Sequence, residues 1–310
     1  MRDRDVSLSV LMPAYNARRY VAKAVESILD QDFVDFEFLI IDDGSTDGSS
    51  EILDDYARRD PRIRLVRREN RGLVASLNEG IALSRAPLIA RMDADDIALP
   101  HRLRVQADFM EAHPEVVCAG GGIDVIDEKG RRITRIPVAQ GNARIQELAL
   151  QGKTPICHPT AVMRKEAVLA AGAYDPDMML AEDLDLWLRL GEQGELANVP
   201  ETVLQYRLHP ASVSEAAGSR QIDRMCLACA RACERRGVTS SFEADAPWRP
   251  GEDRLSKHRF ALKYGWWAFN SGERHTARVY GGKAIAARPF SMEGWRLLVC
   301  ALVKPTRRAG

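Results

Sequence analysis

Three carboxylates crowd one short segment, Asp93-Ala94-Asp95-Asp96. Like charges at that spacing repel, so a positive partner is expected beside them. Hard oxygen ligands of this kind suit Mg²⁺ or Mn²⁺, bound jointly with a substrate phosphate. A solvated acidic turn ahead of a helix from Pro100 is the plain alternative. A second pair, Glu182-Asp183, stands at the start of a run in which Leu184, Trp187 and Leu188 share one helix face. A helix N-terminus favours an ionised carboxylate, and Asp183 there has the chemistry of a general base for a hydroxyl. The same two acids could simply cap the helix.

Such side chains need a scaffold that gathers them. Ser7–Met12, Phe36–Ile41, Ile63–Val66 and Leu88–Met92 read as short strands. Between them, Tyr20 to Leu29, a segment around Ile52 to Tyr56, and Leu73–Leu83 carry helical spacing, with Asp47 or Ser49 as a cap for the middle one. Strand–helix alternation at this interval predicts a parallel sheet covered on both faces. In such sheets ligands lie beyond the carboxyl ends of the strands. Those ends carry Pro13-Ala14-Tyr15-Asn16, Asp42-Asp43-Gly44-Ser45, Asn70-Arg71-Gly72 and the Asp93 segment. Four polar segments are thus predicted to converge on one edge.

Beyond Val116 the pattern loosens. Val116–Ile126 and Ile133–Val138 read as strands joined by the turn Glu128-Lys129-Gly130, and a helix is predicted from Glu182 to Leu190. Gly120-Gly121-Gly122 is not followed by a helix, so it reads as a close-packed strand edge and not as a dinucleotide fingerprint. After Ser214 the chain reads as helical.

Composition narrows the classes. Hydrophobic residues are 45% and charged residues 28% of 310, which excludes a disordered or collagen-like chain. Lys+Arg and Asp+Glu are both 44, and a zero net charge argues against nucleic acid as partner. The balance hides an asymmetry: residues 251–310 hold 12 basic and 4 acidic side chains, a net of +8. The 6 cysteines are too few for a disulfide framework. Cys226, Cys229 and Cys233 have helical spacing with no fourth ligand nearby, so packing is preferred to a metal site. The start of the chain has no signal-peptide core, and the apolar run Leu297 to Val303 is too short to span a bilayer. The expectation is a reducing, cytoplasmic compartment.

The ordered set of these segments resembles the family 2 glycosyltransferases, with their nucleotide-sugar-binding GT-A fold. The set runs from Pro13-Ala14-Tyr15-Asn16 through Asp42-Asp43, Asn70-Arg71-Gly72 with Asn78, and Asp93-x-Asp95. It continues with Gly172-x-Tyr174-Asp175, Glu182-Asp183-Leu184-Asp185-Leu186-Trp187 and Tyr206-Arg207-x-His209-x-x-Ser212-x-Ser214. It covers about residues 6–214. The resemblance implies that Asp43 accepts the imide N–H of uracil while Asp42 serves the turn. Pro13 and Tyr15 would line the base pocket. Arg71 would stack on or bond to the base, or else stay a solvated surface arginine. Asp93 would face the ribose or the metal's water shell, and Asp95 would ligate the Mn²⁺ or Mg²⁺. Asp183 would be the catalytic base, with Glu182 orienting it or binding acceptor. Trp187 reads as core packing, or as a floor for the acceptor site. His209 would complete the metal shell or bind phosphate, and Arg207 would contact phosphate or pair with a carboxylate. His158, in His158-Pro159-Thr160, falls in the segment expected to face acceptor.

The fold class expected is therefore α/β, a mostly parallel GT-A sheet flanked by helices, with an α-helical C-terminal extension. The boundary is placed between a catalytic domain at 1–215 and a helical region at 216–310. The function implied is a metal-dependent inverting transfer of a hexosyl or N-acetylhexosaminyl group. It would pass from a UDP-sugar to a hydroxyl of a glycan or lipid-linked saccharide in bacterial surface-polysaccharide assembly. A sugar nucleotidylyltransferase is the first rival, but its glycine-rich, Arg-containing N-terminal loop is replaced here by Pro13-Ala14-Tyr15-Asn16. A silent nucleotide-sugar-binding scaffold is the second, and Asp93, Asp95 and Asp183 argue against it. In the basic C-terminal region, Trp295 to Val303 with Lys304, Arg307 and Arg308 could lie in an anionic membrane surface on the inner face of the cytoplasmic membrane. Packing of these helices on the catalytic domain would explain the same residues.

Overall fold

The computed structural model describes residues 6–209, 218–239, 242–243 and 253–304. Its first half alternates β1 (Leu8–Ala14), α1 (Val21–Leu29), β2 (Phe36–Asp42), α2 (Ser49–Arg59), β3 (Ile63–Arg67), α3 (Leu73–Leu83) and β4 (Leu88–Arg91). Then come β5 (Ile97–Ala98), α4 (Arg102–Ala112), β6 (Val116–Asp127), β7 (Arg132–Ile136), α5 (Asn142–Leu150), β8 (Val162–Arg164) and α6 (Lys165–Ala170). The chain continues through α7 (Glu182–Leu190), β9 (Glu195–Leu208), α8 (Gly218–Arg236), α9 (Arg254–Asn270), α10 (Arg274–Ala287) and α11 (Met292–Val303).

The strands form one sheet in the order β3-β2-β1-β4-β8-β6-β9-β5, with β7 paired to β6. The alternating half behaves as its sequence predicts: β1 pairs in parallel with β2 and β4, and β2 with β3. The later strands join antiparallel, β8 to β4 and β6, and β5 to β9. Parallel strands end on the same edge, so the segments after β1, β2, β3 and β4 open on one side.

Helix spacing places the core. Val21, Ala24, Val25 and Ile28 form the buried stripe of α1. Leu11, Leu39, Ile81, Tyr174, Trp187 and Leu190 belong to one buried cluster that joins sheet and helices. Each fully buried side chain of this size contributes roughly 1.5–3 kcal/mol of transfer free energy.

The chain divides into two compact units. The first holds Met1–Gly122, Pro137–Gln205 and Ser219–Asp245, the second Ile123–Ile136, Tyr206–Gly218 and Ala246–Gly310. The boundary placed at 215/216, Ser212, Ser214, Arg307 and Arg308 lie outside the described residues.

Two sequence readings need correction. Gly120, Gly121 and Gly122 are close-packed, but on β6, which lies between β8 and β9 and is not an edge. A Cβ on Gly121 would come within 2.7 Å of Val203 Cγ2, so the bare backbone admits side chains of the neighbouring strand. Cys229 and Cys233 are buried on α8, with Cys229 packed near Leu184 and Leu188, whereas Cys226 turns to solvent.

Candidate active site

Asp43 ties three loops together. Its backbone N–H donates to the Ala14 carbonyl at 2.9 Å, which fixes the end of β2 beside the end of β1. Its carboxylate accepts the N–H of Arg71 at 3.0 Å and of Gly72 at 2.8 Å, and pairs with Arg68 at 2.8 Å. A carboxylate has about four acceptor positions, so one stays open. Gly44 is required here: its φ is +79°, and an added Cβ would stand 2.8 Å from Asn70 N. Asp42 serves the turn, accepting from Ser45 N at 3.1 Å and from the Ser50 hydroxyl. Asn16 stitches the first two loops, accepting Thr46 N at 2.9 Å on its side chain while Ser45 Oγ accepts its own N–H at 3.0 Å. Over this frame Tyr15 and Arg71 are exposed, while Pro13 is buried in β1.

The acidic segment follows β4. The ligand oxygens of Asp93, Asp95 and Asp96 lie within 4.8 Å of one another, with Asp96 buried and the other two half-buried. The positive partner expected beside them is Arg91, a buried residue of β4 whose Nη1 lies 2.5 Å from Asp93. Burial alone would lower the pKa of Arg91, but Asp93, Tyr174 and Asp96 outweigh it and the net shift is upward. Arg102, fully buried on α4, donates to the Arg91 carbonyl at 2.6 Å. Burial pulls its pKa down, with Asp96 acting against that. Two buried cations thus lie beneath three acids. Three carboxylates at this density offer hard-oxygen donors of the kind a divalent cation takes, and they fit one.

Glu182 and Asp183 open α7, whose first turn also holds Asp185. Asp183 Oδ1 accepts the Leu184 N–H at 2.7 Å, and Glu182 Oε2 accepts the Leu180 N–H at 2.6 Å. The expectation that the helix N-terminus keeps Asp183 ionised meets a stronger effect. Burial pushes its pKa up, against the Leu184 N–H and the Arg91 charge, and Asp93 adds to the rise. Glu182 is likewise raised, first by burial and then by Asp183. The charges of Arg91 and Asp93 reach Asp183, so the carboxylate pair lies within electrostatic range of the acidic segment.

The rest of α7 holds the loop before it. Asp185 pairs with Arg189 at 2.6 Å, and Arg189 Nη1 donates to the carbonyls of Ala171 at 2.5 Å and Ala173 at 2.7 Å. Asn78 clamps Tyr174 from α3, with Nδ2 to the Tyr174 carbonyl at 2.8 Å and Tyr174 N to Oδ1 at 3.0 Å. Motifs nearly a hundred positions apart thus meet. Among the described residues the non-glycine positions with positive φ are Asn16 (48°), Ala173 (56°) and Leu180 (82°). All three lie in loops of this site, where strain of about 1–3 kcal/mol each is held by the surroundings.

His158 is buried, with Nε2 2.8 Å from the Tyr174 hydroxyl and its ring edge-on to Trp187 at 5.9 Å. Burial and the Arg91 charge hold its pKa well below the usual range, which favours the neutral imidazole. Trp187 is fully buried in the core cluster, the packing side of its two readings. Burial also pushes the Cys157 thiol up, with Asp96 next, so it is a poor nucleophile. His209 follows β9 directly and belongs, like Arg207, to the second unit, where Arg207 Nη1 donates to the Asp127 carbonyl at 3.3 Å.

Sequence reasoning missed Arg91, Arg102 and Arg68. A charged residue inside an apolar strand, as in Leu88-Ile89-Ala90-Arg91-Met92, was the signal for the first, since a buried charge requires a partner.

Comparison with known proteins gives the family and the fold. Residues 9–171 match the profile of glycosyl transferase family 2. The amylovoran biosynthesis glycosyltransferase AmsE of Erwinia amylovora is 33% identical over 215 residues, covering 68% of this chain and 79% of its own. The fold is that of S. aureus TarS 1-349, solved with UDP-GlcNAc, at a TM-score of 0.55 and 15% identity over 96% of this chain and 79% of that one. It is also that of the mannosyltransferase PcManGT from Pyrobaculum calidifontis, solved with GDP-Man and Mn²⁺, at a TM-score of 0.54 and 20% identity over 98% and 82%.

Proposed function

The chain belongs to glycosyltransferase family 2, and we propose on that footing that it transfers a sugar, with inversion, from a UDP-sugar to a hydroxyl of a glycan or lipid-linked saccharide. The observation that carries this reading is the cluster of Asp93, Asp95 and Asp96 beside buried Arg91, with Asp183 within range of the same charges. Diphosphate chemistry and proton removal thereby share one centre. AmsE, named for amylovoran biosynthesis, supports a place in polysaccharide assembly.

Each residue has a task in this reading. The open acceptor position of Asp43 takes the N3–H of uracil, and Tyr15 and Arg71 cover the base. Asp93, held by Arg91, faces the ribose, and Asp95 takes the role of metal ligand. A divalent cation held by this segment would stabilise the charge gathering on the departing diphosphate. Asp183 takes the proton of the acceptor hydroxyl as the oxygen forms its bond to the anomeric carbon. The bond from that carbon to UDP breaks on the opposite face, which inverts the centre. A raised pKa makes Asp183 a stronger proton acceptor than an ordinary carboxylate once it is ionised. Glu182 orients the pair through Leu180, and neutral His158 supports the wall through Tyr174.

A GDP-sugar is the second reading, favoured by the GDP-Man found with PcManGT. A donor screen separates them. Purified protein with Mn²⁺ is offered UDP-glucose, UDP-galactose, their N-acetyl forms and GDP-mannose, and nucleoside diphosphate release is read. UDP release from at least one donor is expected. Release from GDP-mannose alone would move the base assignment, and pyrophosphate release from UTP with a sugar phosphate would point to nucleotidyl transfer instead.

A further inference from the structure

The helices α9, α10 and α11 of the second unit pack through small residues. A Cβ on Gly294 would stand 3.0 Å from Ile285, one on Gly281 would stand 3.2 Å from Leu298, and one on Gly265 would meet Leu297. α11 buries only Gly294, Leu297 and Ala301. Apart from Leu297 and Leu298, its large apolar side chains point the other way. Met292, Trp295, Val299, Leu302 and Val303 recur at helical spacing on the exposed face, with Met292 78% and Val303 75% accessible. Phe290, in the turn before the helix, is 100% accessible. Trp295 Nε1 donates to the Pro289 carbonyl at 3.0 Å, so the indole is held in place while its ring stays open to solvent. Such a row of large apolar residues marks an interaction surface.

Charge says what kind. Beside this face a depression of about 570 Å³ is lined by Arg259, Leu262, Lys263 and Trp266 of α9 and by Glu293 and Arg296 of α11. Three cations stand there against one acid, and Glu293 is itself engaged by His258 Nε2 at 3.4 Å. Residues 251–310 as a whole carry a net of +8. No helix among the described residues is long and apolar enough to cross a membrane.

We propose that the exposed face of α11, with the cationic depression between α9 and α11, docks in the plane of an anionic phospholipid bilayer. The apolar row enters the acyl boundary, Trp295 and Trp266 take the headgroup level, and Arg259, Lys263 and Arg296 meet lipid phosphates. A second copy of the chain fits less well, because an isologous pairing would bring these like charges together.

Flotation of the full chain tests this. Vesicles of phosphatidylcholine containing one-third phosphatidylglycerol are compared with pure phosphatidylcholine at low and high salt. Binding to the anionic vesicles is expected, and it weakens in high salt. Each basic residue contributes about fivefold, so the Arg259→Gln/Arg296→Gln double variant binds about 25-fold more weakly. The Phe290→Ser/Val299→Ser variant, changed only on exposed side chains, loses flotation. Nucleotide release in solution by both variants stays at the wild-type rate, which keeps this outcome separate from the donor and acceptor assignments. No flotation of the wild type, or flotation indifferent to both variants, overturns the proposal. So does a dimer in sedimentation that Phe290→Ser/Val299→Ser dissolves, which would make the face an interface between copies. Abolition of flotation by millimolar inorganic phosphate would reassign the depression to a soluble anion.

Discussion

At Asp183, helix capping and proton acceptance compete for the same carboxylate. Its Oδ1 is bound to the Leu184 N–H, yet burial and Asp93 raise its pKa, and Glu182 beside it is raised too. Loss of the base is expected to be a loss of rate. Asp183→Asn keeps shape and should lower kcat at least ~100-fold with the donor KM unchanged. A matching loss of donor affinity would mean the residue is structural. The pH profile carries the same claim with a definite sign. A base works only when ionised, and a raised pKa delays ionisation, so wild-type kcat should still climb with pH above the ordinary carboxylate range near 4. The apparent value belongs to the Glu182–Asp183 pair. A rate already flat from pH 5 upward would contradict the raised pair. The acids themselves were legible, because Asp93, Asp95, Asp96, Glu182 and Asp183 stand in short local patterns. Their counter-charges were not. Arg91, Arg102 and Arg68 gain meaning only through partners brought by the fold, such as Asp43 for Arg68.

Among elements, the loops of the site depend on how closely α3 approaches β1. α3 carries Asn78, which clamps Tyr174, and its Gly80 lies where a Cβ would overlap Leu11 of β1. Leu11 is itself buried in the core and has little room to yield. Gly80→Ala gains helix propensity of about 1 kcal/mol but overpacks the contact, at a cost of roughly 1–3 kcal/mol. The melting temperature should fall, by roughly 2–4 °C per kcal/mol lost. A rise would show that Leu11 can move aside. Elements set by local periodicity were legible: α3 and α7 span the residues their spacing predicts, and β1 to β4 lie within two residues of theirs. β5 with two residues, β8 with three, and β9 with Pro200 inside its run left no periodic trace. Each exists because a distant strand supplies its hydrogen bonds, as β9 does for β5.

Taken as a whole molecule, the chain keeps its acidic centre in the first unit and its basic helices in the second. The zero net charge concealed that division, and only the count by segment made it visible. The central claim is that Asp93, Asp95 and Asp96 form the place where a divalent cation and a nucleoside diphosphate bind together. Calorimetric titration of UDP into the chain, with Mn²⁺ and then with chelator, tests it most directly when wild type and Asp95→Ala are compared. The account predicts binding by the wild type with Mn²⁺, loss of that binding in chelator, and no Mn²⁺-dependent binding by Asp95→Ala. An Asp95→Ala chain that binds UDP with Mn²⁺ as tightly as the wild type would contradict it.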